Sequence, residues 1–139
     1  MTLVRQESLI VRTRPRAFEE VGSRIDAVVR AANVTTGSCQ VFLRHTSASL
    51  LICENADPAV RRDLERFMNR VAPEGAGYEH DAEGPDDMPA HIRSMLAGVS
   101  LSMPVQEGRL GLGTWQGIYL WEHRATAHAR ELIVTVQGI

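Results

Sequence analysis

This sequence has few cysteines, no excess of basic charge and no long apolar segment. The two cysteines, Cys39 and Cys53, lie in apolar, strand-like segments and form no CxxC pair. This pattern indicates reduced core residues rather than a disulfide framework or a thiolate zinc site. No apolar run approaches the roughly 20 residues that a membrane-spanning helix needs. The N-terminal segment has charges spread through it and no continuous apolar stretch, unlike a signal peptide. We therefore expect a cytoplasmic protein with no membrane association.

The net charge and the length of the chain narrow the possible classes of protein further. The net charge is -2 with both signs mixed along the chain, which gives no basic surface for nucleic acid. Hydrophobic residues make up 44% and charged residues 23% of the chain, as in ordinary globular proteins. The 139 residues contain no internal repeat and no low-complexity segment. We expect one domain over residues 1–139 with a core of its own.

Apolar residues at helical spacing predict three helices. The first covers residues 17–32, and the third covers residues 88–97 with Asp87 as its cap. The second starts at Asp57 and Pro58, a cap followed by a first-turn proline. Its buried stripe is predicted to comprise Val60, Leu64, Phe67, Met68 and Val71.

Alternation of apolar and polar residues predicts strands in much of the remaining chain. The segment 48–55 is apolar on both faces, as expected for a strand covered on both sides. Helices and strands come in mixed order, and three consecutive strands close the chain, so the predicted class is α+β with a largely antiparallel sheet. The predicted strands are 4–11, 38–45, 48–55, 99–105, 109–112, 115–122 and 131–137.

Three of the five histidines are candidates for a metal site. His45 ends a strand in phase with its apolar residues, and His91 borders the apolar stripe of the third helix. His80 lies between two acidic residues in the loop 73–87, whose length is more often functional or disordered than neutral. Neutral imidazole is the commonest metal ligand, and neighbouring carboxylates can orient it. The alternative is three unrelated surface or capping histidines, because no HxH or HExxH spacing is present.

The segment HTSASLLICENAD, residues 45–57, is a second polar cluster. Its hydroxyl residues stand beside a histidine, but the GxSxG context of a nucleophilic serine is absent. The hydroxyls are therefore predicted to form a turn or bind an anion, while Asn55 and Asp57 cap the next helix. The functional alternative is that Glu54 or Asn55 contacts a bound metal or substrate.

The segment RLGLGTWQGIYLWEH, residues 109–123, concentrates glycines and both tryptophans. Glycine in a strand often marks a close approach of the backbone to another group. Thr114 and Gln116 offer hydrogen bonds, and Trp115 offers a large flat face. Glu122 shares a mostly apolar face with Gln116, so it needs an arginine or a metal as partner if it is buried. The alternative places Glu122 in water at a strand end and both tryptophans in the core.

The whole chain resembles the YjbQ family, called secondary thiamine-phosphate synthases. The resemblance depends on HTSASLLICENAD, the YEHD loop, DDMPAHIRSMLAG and EGRLGLGTWQGIYLWEHR, in that order. It implies a compact sandwich of sheets and helices, a homotrimer, and a polar site near the subunit boundaries. It also implies a weak thiamine-phosphate synthase activity.

The residue patterns and the resemblance together give three groups of site residues. The expected catalytic residues are Glu122, Asp81, Gln116 and Arg124. The expected substrate-binding residues are Trp115, Asn55, Glu54, Tyr78, Asp87 and Thr114. The expected metal ligands are His45, His80 and His91, which would converge on one divalent ion with Glu122 nearby as ligand or base.

The implied reaction joins a pyrimidine-methyl pyrophosphate to a thiazole phosphate and releases pyrophosphate. A leaving pyrophosphate needs a divalent metal or arginine and amide donors. Carboxylates at Asp81, Asp87 and Glu54 would favour Mg²⁺, whereas histidines favour Zn²⁺. Arg124 would either bind phosphate with two hydrogen bonds or lie as an exposed surface charge. No nucleotide cofactor is expected, and the expected partner is a small phosphorylated molecule. Two other interpretations are a metal- or phosphate-binding module without significant turnover and a structural protein whose histidines hold a trimer together.

Overall fold

The larger of two antiparallel sheets is assembled around a strand late in the chain. In this computed structural model, which describes residues 1–139, the sheet has five strands. The late strand, β8 (Ala129–Gly138), pairs antiparallel along its length with the first strand and also with the third. The spatial order is β1 (Leu3–Arg12), β8, β3 (Gly37–Leu43), β5 (Ser100–Gln106) and β6 (Arg109–Leu110).

The smaller sheet has three strands, with β7 (Gln116–Glu122) in the middle. Its neighbours are β2 (Phe18–Glu20) and β4 (Ala48–Glu54), and both pair antiparallel with it. The start of β4 lies opposite the end of β7, and the end of β4 lies opposite the start of β7. Residues 117–122 of β7 are all buried, because this strand is covered on both faces.

One hydrophobic core joins both sheets to the first helix. In β3 the alternating residues Cys39, Val41 and Leu43 are buried, as the period of two predicts. The helix α1 (Gly22–Ala31) buries Ile25 and Val29 in the same core. The predicted class, a compact α+β sandwich with largely antiparallel sheets and a few helices, is confirmed.

The first predicted helix, 17–32, is wrong in its first turn. Phe18–Glu20 forms the strand β2 instead, and α1 begins at Gly22. The Phe18 ring stacks on Trp121 with ring centroids 4.4 Å apart, and this edge strand pairs with β7. Pairing with a distant strand therefore overrides a local helical pattern.

The second helix, α2 (Pro58–Val71), begins as predicted, with Asp57 accepting a hydrogen bond from the backbone N–H of Ala59 at 2.9 Å. Its predicted buried stripe is wrong, since only Met68 is buried, and Phe67 and Val71 are 51% and 45% exposed. Polar side chains instead attach this helix to its neighbours. Glu65 accepts hydrogen bonds from Arg93 of the third helix and from the Trp121 indole of β7.

The third helix, α3 (Asp87–Ala97), includes Asp87 in its first turn rather than as a cap. The Ser94 hydroxyl donates to the backbone carbonyl of Ala48 at 2.9 Å, which holds α3 against the start of β4. The loop 72–86 leads from α2 to α3. These contacts place polar residues of the loop and of α3 beside the end of β7.

Candidate functional site

His80, Asp87 and His91 form a compact group at the start of α3, called here the histidine cluster. One ligand atom from each residue lies within 4.8 Å of the others. The His80 Nε2 atom is 2.7 Å and the His91 Nε2 atom 3.2 Å from the same carboxylate oxygen, Oδ2 of Asp87. The two imidazole rings are 5.4 Å apart and nearly perpendicular. Two imidazole nitrogens and a carboxylate oxygen therefore face one point.

Local structure explains why these three residues meet. Asp87 and His91 are four residues apart on α3, so they share one face of the helix. His80 returns to that face because the loop 72–86 folds back on the helix. Asp87 is only 2% exposed, whereas both histidines are partly accessible. The carboxylate of the cluster is therefore buried, and the two imidazoles face solvent.

Arg124 holds the opposite oxygen of the Asp87 carboxylate. Its NH1 lies 3.1 Å from Asp87 Oδ1, and its Nε donates to Asp86 at 2.9 Å. Burial alone would raise the pKa of Asp87, but the hydrogen bond with His80 and the charge of Arg124 outweigh this effect and lower it. Asp87 is therefore a carboxylate at neutral pH. Arg124 is neither an exposed charge nor free to bind phosphate with its whole guanidinium group.

The donor set of the histidine cluster fits a divalent metal ion. Histidine nitrogen and aspartate oxygen are standard ligands of Zn²⁺ at about 2.0–2.2 Å, and both Nε2 atoms already point at the same carboxylate. Arg124 fixes the orientation of Asp87 from behind, as outer partners of metal-binding carboxylates do. Two imidazoles favour Zn²⁺ over Mg²⁺, which prefers oxygen ligands.

His45 lies outside this group. Its Nε2 accepts a hydrogen bond from the backbone N–H of Glu131 at 2.9 Å, which leaves only Nδ1 for other partners. Burial and the nearby charge of Arg130 lower its pKa. His45 and His91 nevertheless line one open cavity of about 700 Å³, whose apolar wall includes Phe42 and Met95. The chain thus brings two of the three expected histidines together and places the third across a shared cavity.

Glu122 is completely buried and is engaged by Arg130, a residue that was not among the predicted site residues. Arg130 on β8 donates from Nε to Oε1 of Glu122 at 2.8 Å, and from NH2 to Oε2. Thr13 and the backbone N–H of Arg124 complete the hydrogen bonding of this carboxylate. Burial would raise the pKa of Glu122, but the hydrogen bonds from Arg130 and Thr13 outweigh burial and lower it. The expected arginine partner is present, and the alternative that leaves Glu122 in water is wrong.

A signal for Arg130 was present in the sequence. Arg130 has the same parity as the buried residues Leu132, Val134 and Val136 of β8, so it faces the core side of its strand. The predicted strand begins two residues too late, at 131 rather than 129, and leaves this arginine out.

The residues expected around Trp115 lie at the other end of β7. Six residue steps separate Gln116 from Glu122, which is about 20 Å in an extended strand. The Gln116 side chain accepts from the backbone N–H of Gly113, and Asn55 donates to the Thr114 carbonyl. These bonds stabilise a turn, and Trp115 is 63% exposed. Glu54 accepts from the backbone N–H of Asp57. Within one chain, this end is separate from the histidine cluster.

Tyr78 and Asp81 belong to the loop that carries His80. The Tyr78 hydroxyl donates to the Pro73 carbonyl at 2.8 Å, which closes the loop. Together with His80, both residues line a small cavity of about 310 Å³ beside the histidine cluster. Asp81 is exposed and is the carboxylate residue in the lining of this cavity.

A buried serine–histidine pair lies between the small sheet and the helices. Ser49 Oγ and His123 Nε2 are 2.8 Å apart, and both residues are essentially inaccessible. Burial and the charge of Arg93 lower the pKa of His123 to about 3, so its ring is neutral. Because no solvent reaches either side chain, this pair is a structural contact and not a nucleophile with its base.

The fold and the site define a class: an α+β protein of two antiparallel sheets with a His–Asp–His cluster at one end. The family model described as "UPF0047 protein YjbQ-like" matches residues 7–139, and the chain belongs to this family. A UPF0047 protein of Synechocystis sp. is 54% identical over 96% of this chain and 91% of its own. The UPF0047 protein YjbQ of Salmonella typhimurium is 48% identical over 96% of this chain and 97% of its own.

Solved structures agree with this assignment. A YjbQ/UPF0047 family protein of Clostridium acetobutylicum superposes with a TM-score of 0.87 at 34% identity, covering 94% of this chain and 98% of that one. A YbjQ-like protein of Sulfolobus solfataricus, described as of unknown function, gives a TM-score of 0.92 over the whole of both chains. At 21% identity the second likeness concerns the fold alone. No helix of this chain has the length and apolar character needed to cross a membrane.

Proposed function

We propose that this protein is a metal-dependent transferase of the thiamine-phosphate synthase type, with a weak activity. The supporting observation is the histidine cluster, where two Nε2 atoms and one carboxylate oxygen lie within 4.8 Å of one another beside an open cavity. In the reaction, the thiazole nitrogen attacks the methylene carbon of the pyrimidine. The bond from that carbon to oxygen breaks, and its electron pair leaves with pyrophosphate. The product is a thiazolium phosphate, and no proton transfer is needed.

The residues of the chain divide the remaining work. His80, Asp87 and His91 would hold a divalent ion, preferably Zn²⁺, which supplies positive charge for the departing pyrophosphate. Arg124 orients Asp87 through the 3.1 Å contact to its other oxygen and, together with the His80 hydrogen bond, lowers the pKa of Asp87. The cavity of about 700 Å³ has the size of a small-ligand site, and its apolar wall suits an aromatic ring. His45 Nδ1 and Thr46 offer polar contacts on the same wall.

A homotrimer is part of the proposal. In one chain, Gln116 and Trp115 are about 20 Å from Glu122 along the strand, so their expected roles at the histidine cluster require a neighbouring subunit. Exposed apolar side chains support association, since Met95 is 73% and Leu96 52% exposed on α3.

A second candidate is a metal- and phosphate-binding module without significant turnover. The observation in its favour is that the two charged side chains next to the cluster, Glu122 and Arg124, already have their hydrogen bonds satisfied by other residues of the chain. Glu122 accepts four hydrogen bonds, and the Arg124 side chain is held by Asp86, Asp87 and the Glu83 carbonyl. Neither is free to act on a substrate in this arrangement.

Metal content and turnover of the purified protein separate the two candidates. We expect stoichiometric bound metal in the wild type and a loss of metal affinity of at least about tenfold in His91→Ala and His80→Ala, because each removes a ligand. His128→Ala is the matched control: His128 lies outside the cluster, so this variant should keep the metal of the wild type. Formation of thiamine phosphate from both precursors, lost with the metal, supports the transferase. Metal binding without product supports the binding module, and full metal occupancy in His91→Ala refutes both.

A further inference from the structure

Four arginines line a groove between the loop after β1 and the part of α2 from Pro58 to Arg66. This arginine groove has a volume of about 430 Å³ and is separate from the histidine cluster and its cavity. The aromatic ring of Phe18 and the side chain of Pro58 complete its apolar surface. Its charged lining consists of Arg16, Arg61, Arg62, Arg66 and Glu65.

The positive charge of the arginine groove is only partly compensated. Its one acidic residue, Glu65, is already paired with Arg93 at 2.7 Å. Arg66 has only a long contact of 3.7 Å to Asp63, and both side chains are highly exposed, which makes this pair weak. Arg62 lies one helical turn before Arg66, and like charges at this spacing destabilise a helix unless an anion lies between them. An anion bound between Arg62 and Arg66 would offset this repulsion, because both guanidinium groups attract it.

Arg16 adds an unsatisfied donor. Its Nε–H is buried and has no hydrogen-bond partner, although its NH2 pairs with Glu74. Buried donors without an acceptor are rare in folded proteins, and an unseen ion or water is a common explanation. Arg16 also has a positive φ of 49° and donates its backbone N–H to the Arg124 carbonyl. The backbone of Arg16 is thus held in place, Glu74 pairs with one end of its guanidinium, and the buried Nε–H has no partner.

Arg61 is also held in place before any ligand arrives. Its NH1 donates to the Glu54 carbonyl at 3.1 Å and to the Tyr119 hydroxyl at 2.9 Å. Its guanidinium carbon lies 4.8 Å from the centre of the Tyr119 ring. A guanidinium with its rotamers already fixed loses little entropy when it binds an anion.

We propose that the arginine groove binds a small, multiply charged phosphate-type anion. Guanidinium groups bind phosphate oxygens with paired, charge-assisted hydrogen bonds, and several of them together favour a dianion or a pyrophosphate over a single carboxylate. The unused Nε–H of Arg16, the charge of Arg62 and the weakly paired charge of Arg66 supply the attraction. Arg61 and Phe18 supply a rigid wall.

Isothermal titration of the full chain with inorganic pyrophosphate tests this site. The protein is stripped of metal with EDTA and transferred to chelator-free buffer before the titration, so that neither a metal at the histidine cluster nor the chelator contributes. We expect Arg62→Gln and Arg16→Gln each to weaken pyrophosphate binding by about tenfold or more, the typical effect of removing a hydrogen bond to a charged group. Arg12→Gln is the matched control, since it removes the same charge from an exposed arginine outside the groove. His91→Ala should retain the wild-type affinity.

Several results would overturn the site. Equal affinities in wild type and Arg62→Gln would do so, and Arg62 is exposed, so this variant should fold even if Arg16→Gln does not. A loss of binding in His91→Ala with full binding in the arginine variants would place the anion at the histidine cluster. Sulfate binding as tight as pyrophosphate binding would refute the preference for phosphate-type anions. The proposed transferase is tested separately by metal content and turnover, because this titration contains neither metal nor precursors.

Discussion

Removal of Arg130 is the perturbation that the structure makes most consequential for stability. The Arg130 guanidinium makes two hydrogen bonds to the buried Glu122 carboxylate and two more to the carbonyl and hydroxyl of Ser47. Arg130→Met fills much of the same volume but leaves the carboxylate without its counter-charge. Breaking one partner out of a buried ion pair costs about 3–5 kcal/mol. For a domain of this size, this corresponds to a fall of roughly 10–15 °C in Tm.

The effect should depend on pH with a definite sign. The pKa of Glu122 is lowered in the folded protein, so this group contributes stability above its ordinary pKa and loses it as the pH falls through the folded pKa. Without Arg130, we expect the pKa of Glu122 to rise. The difference in unfolding free energy between wild type and Arg130→Met should therefore be largest at neutral pH and shrink toward pH 4, where the unpaired carboxyl is protonated.

Urea denaturation at both pH values measures this difference. Arg14→Met is the matched control, because its ion pair with Glu19 has a 71% exposed arginine and such pairs contribute about 0–1 kcal/mol. The double variant Arg130→Met/Glu122→Leu should recover much of the loss, since replacing both members of a buried pair is often neutral. A cost of less than about 1 kcal/mol for Arg130→Met, or a double variant as unstable as the single one, would refute a stabilising role for this ion pair.

Three further predictions concern packing, titration and assembly. Gly117→Ala should destabilise the protein by about 1–3 kcal/mol, because an added Cβ would lie 2.9 Å from the Tyr119 ring and 3.0 Å from Asn55 Cβ. The control is Gly113→Ala, where the nearest atom to an added Cβ is 3.5 Å away. Equal effects of the two substitutions would contradict the steric explanation. Asp87→Asn should have a lower unfolding free energy than wild type at neutral pH. This difference should shrink as the pH falls below the ordinary aspartate pKa, because the pKa of Asp87 is lowered in the folded protein. A difference in unfolding free energy that stays constant with pH would argue against an ionised Asp87. Light scattering should give the mass of a trimer, and a monomer at micromolar concentration would remove the proposed contribution of Gln116 to the histidine cluster.

Local sequence patterns predicted the elements better than the way they attach to each other. The alternation in 38–45 and the proline start of α2 are local signals, and both correspond to observed elements. The buried stripe expected on α2 failed because amphipathic spacing reveals a possible buried face but not whether a partner covers it. The Phe18 segment failed for a related reason, since its pairing with Trp121 joins residues that are distant in the chain.

The candidate site was predictable in part for the same physical reason. Asp87 and His91 are neighbours on one helix, so their proximity follows from the sequence spacing. The contact of His80 with Asp87 depends on the path of the loop 72–86, which no local pattern determines. The need of Glu122 for a counter-charge followed from its apolar surroundings, but the choice of Arg130 depends on the approach of β8 to β7. Neither strand pattern encodes that approach.

The position of β8 has a consequence for how the chain reaches this fold. β8 fills the space between β1 and β3, and its pairing places Leu3 opposite Gly138. The ladder between β1 and β8 therefore closes only after nearly the whole sequence is available, and such non-local pairing slows folding. Until then β1 has no partner in the sheet, and its backbone edge is open to other chains. During synthesis, β1 therefore stays unpaired until β8 has been made, and in this interval the protein is most prone to aggregation.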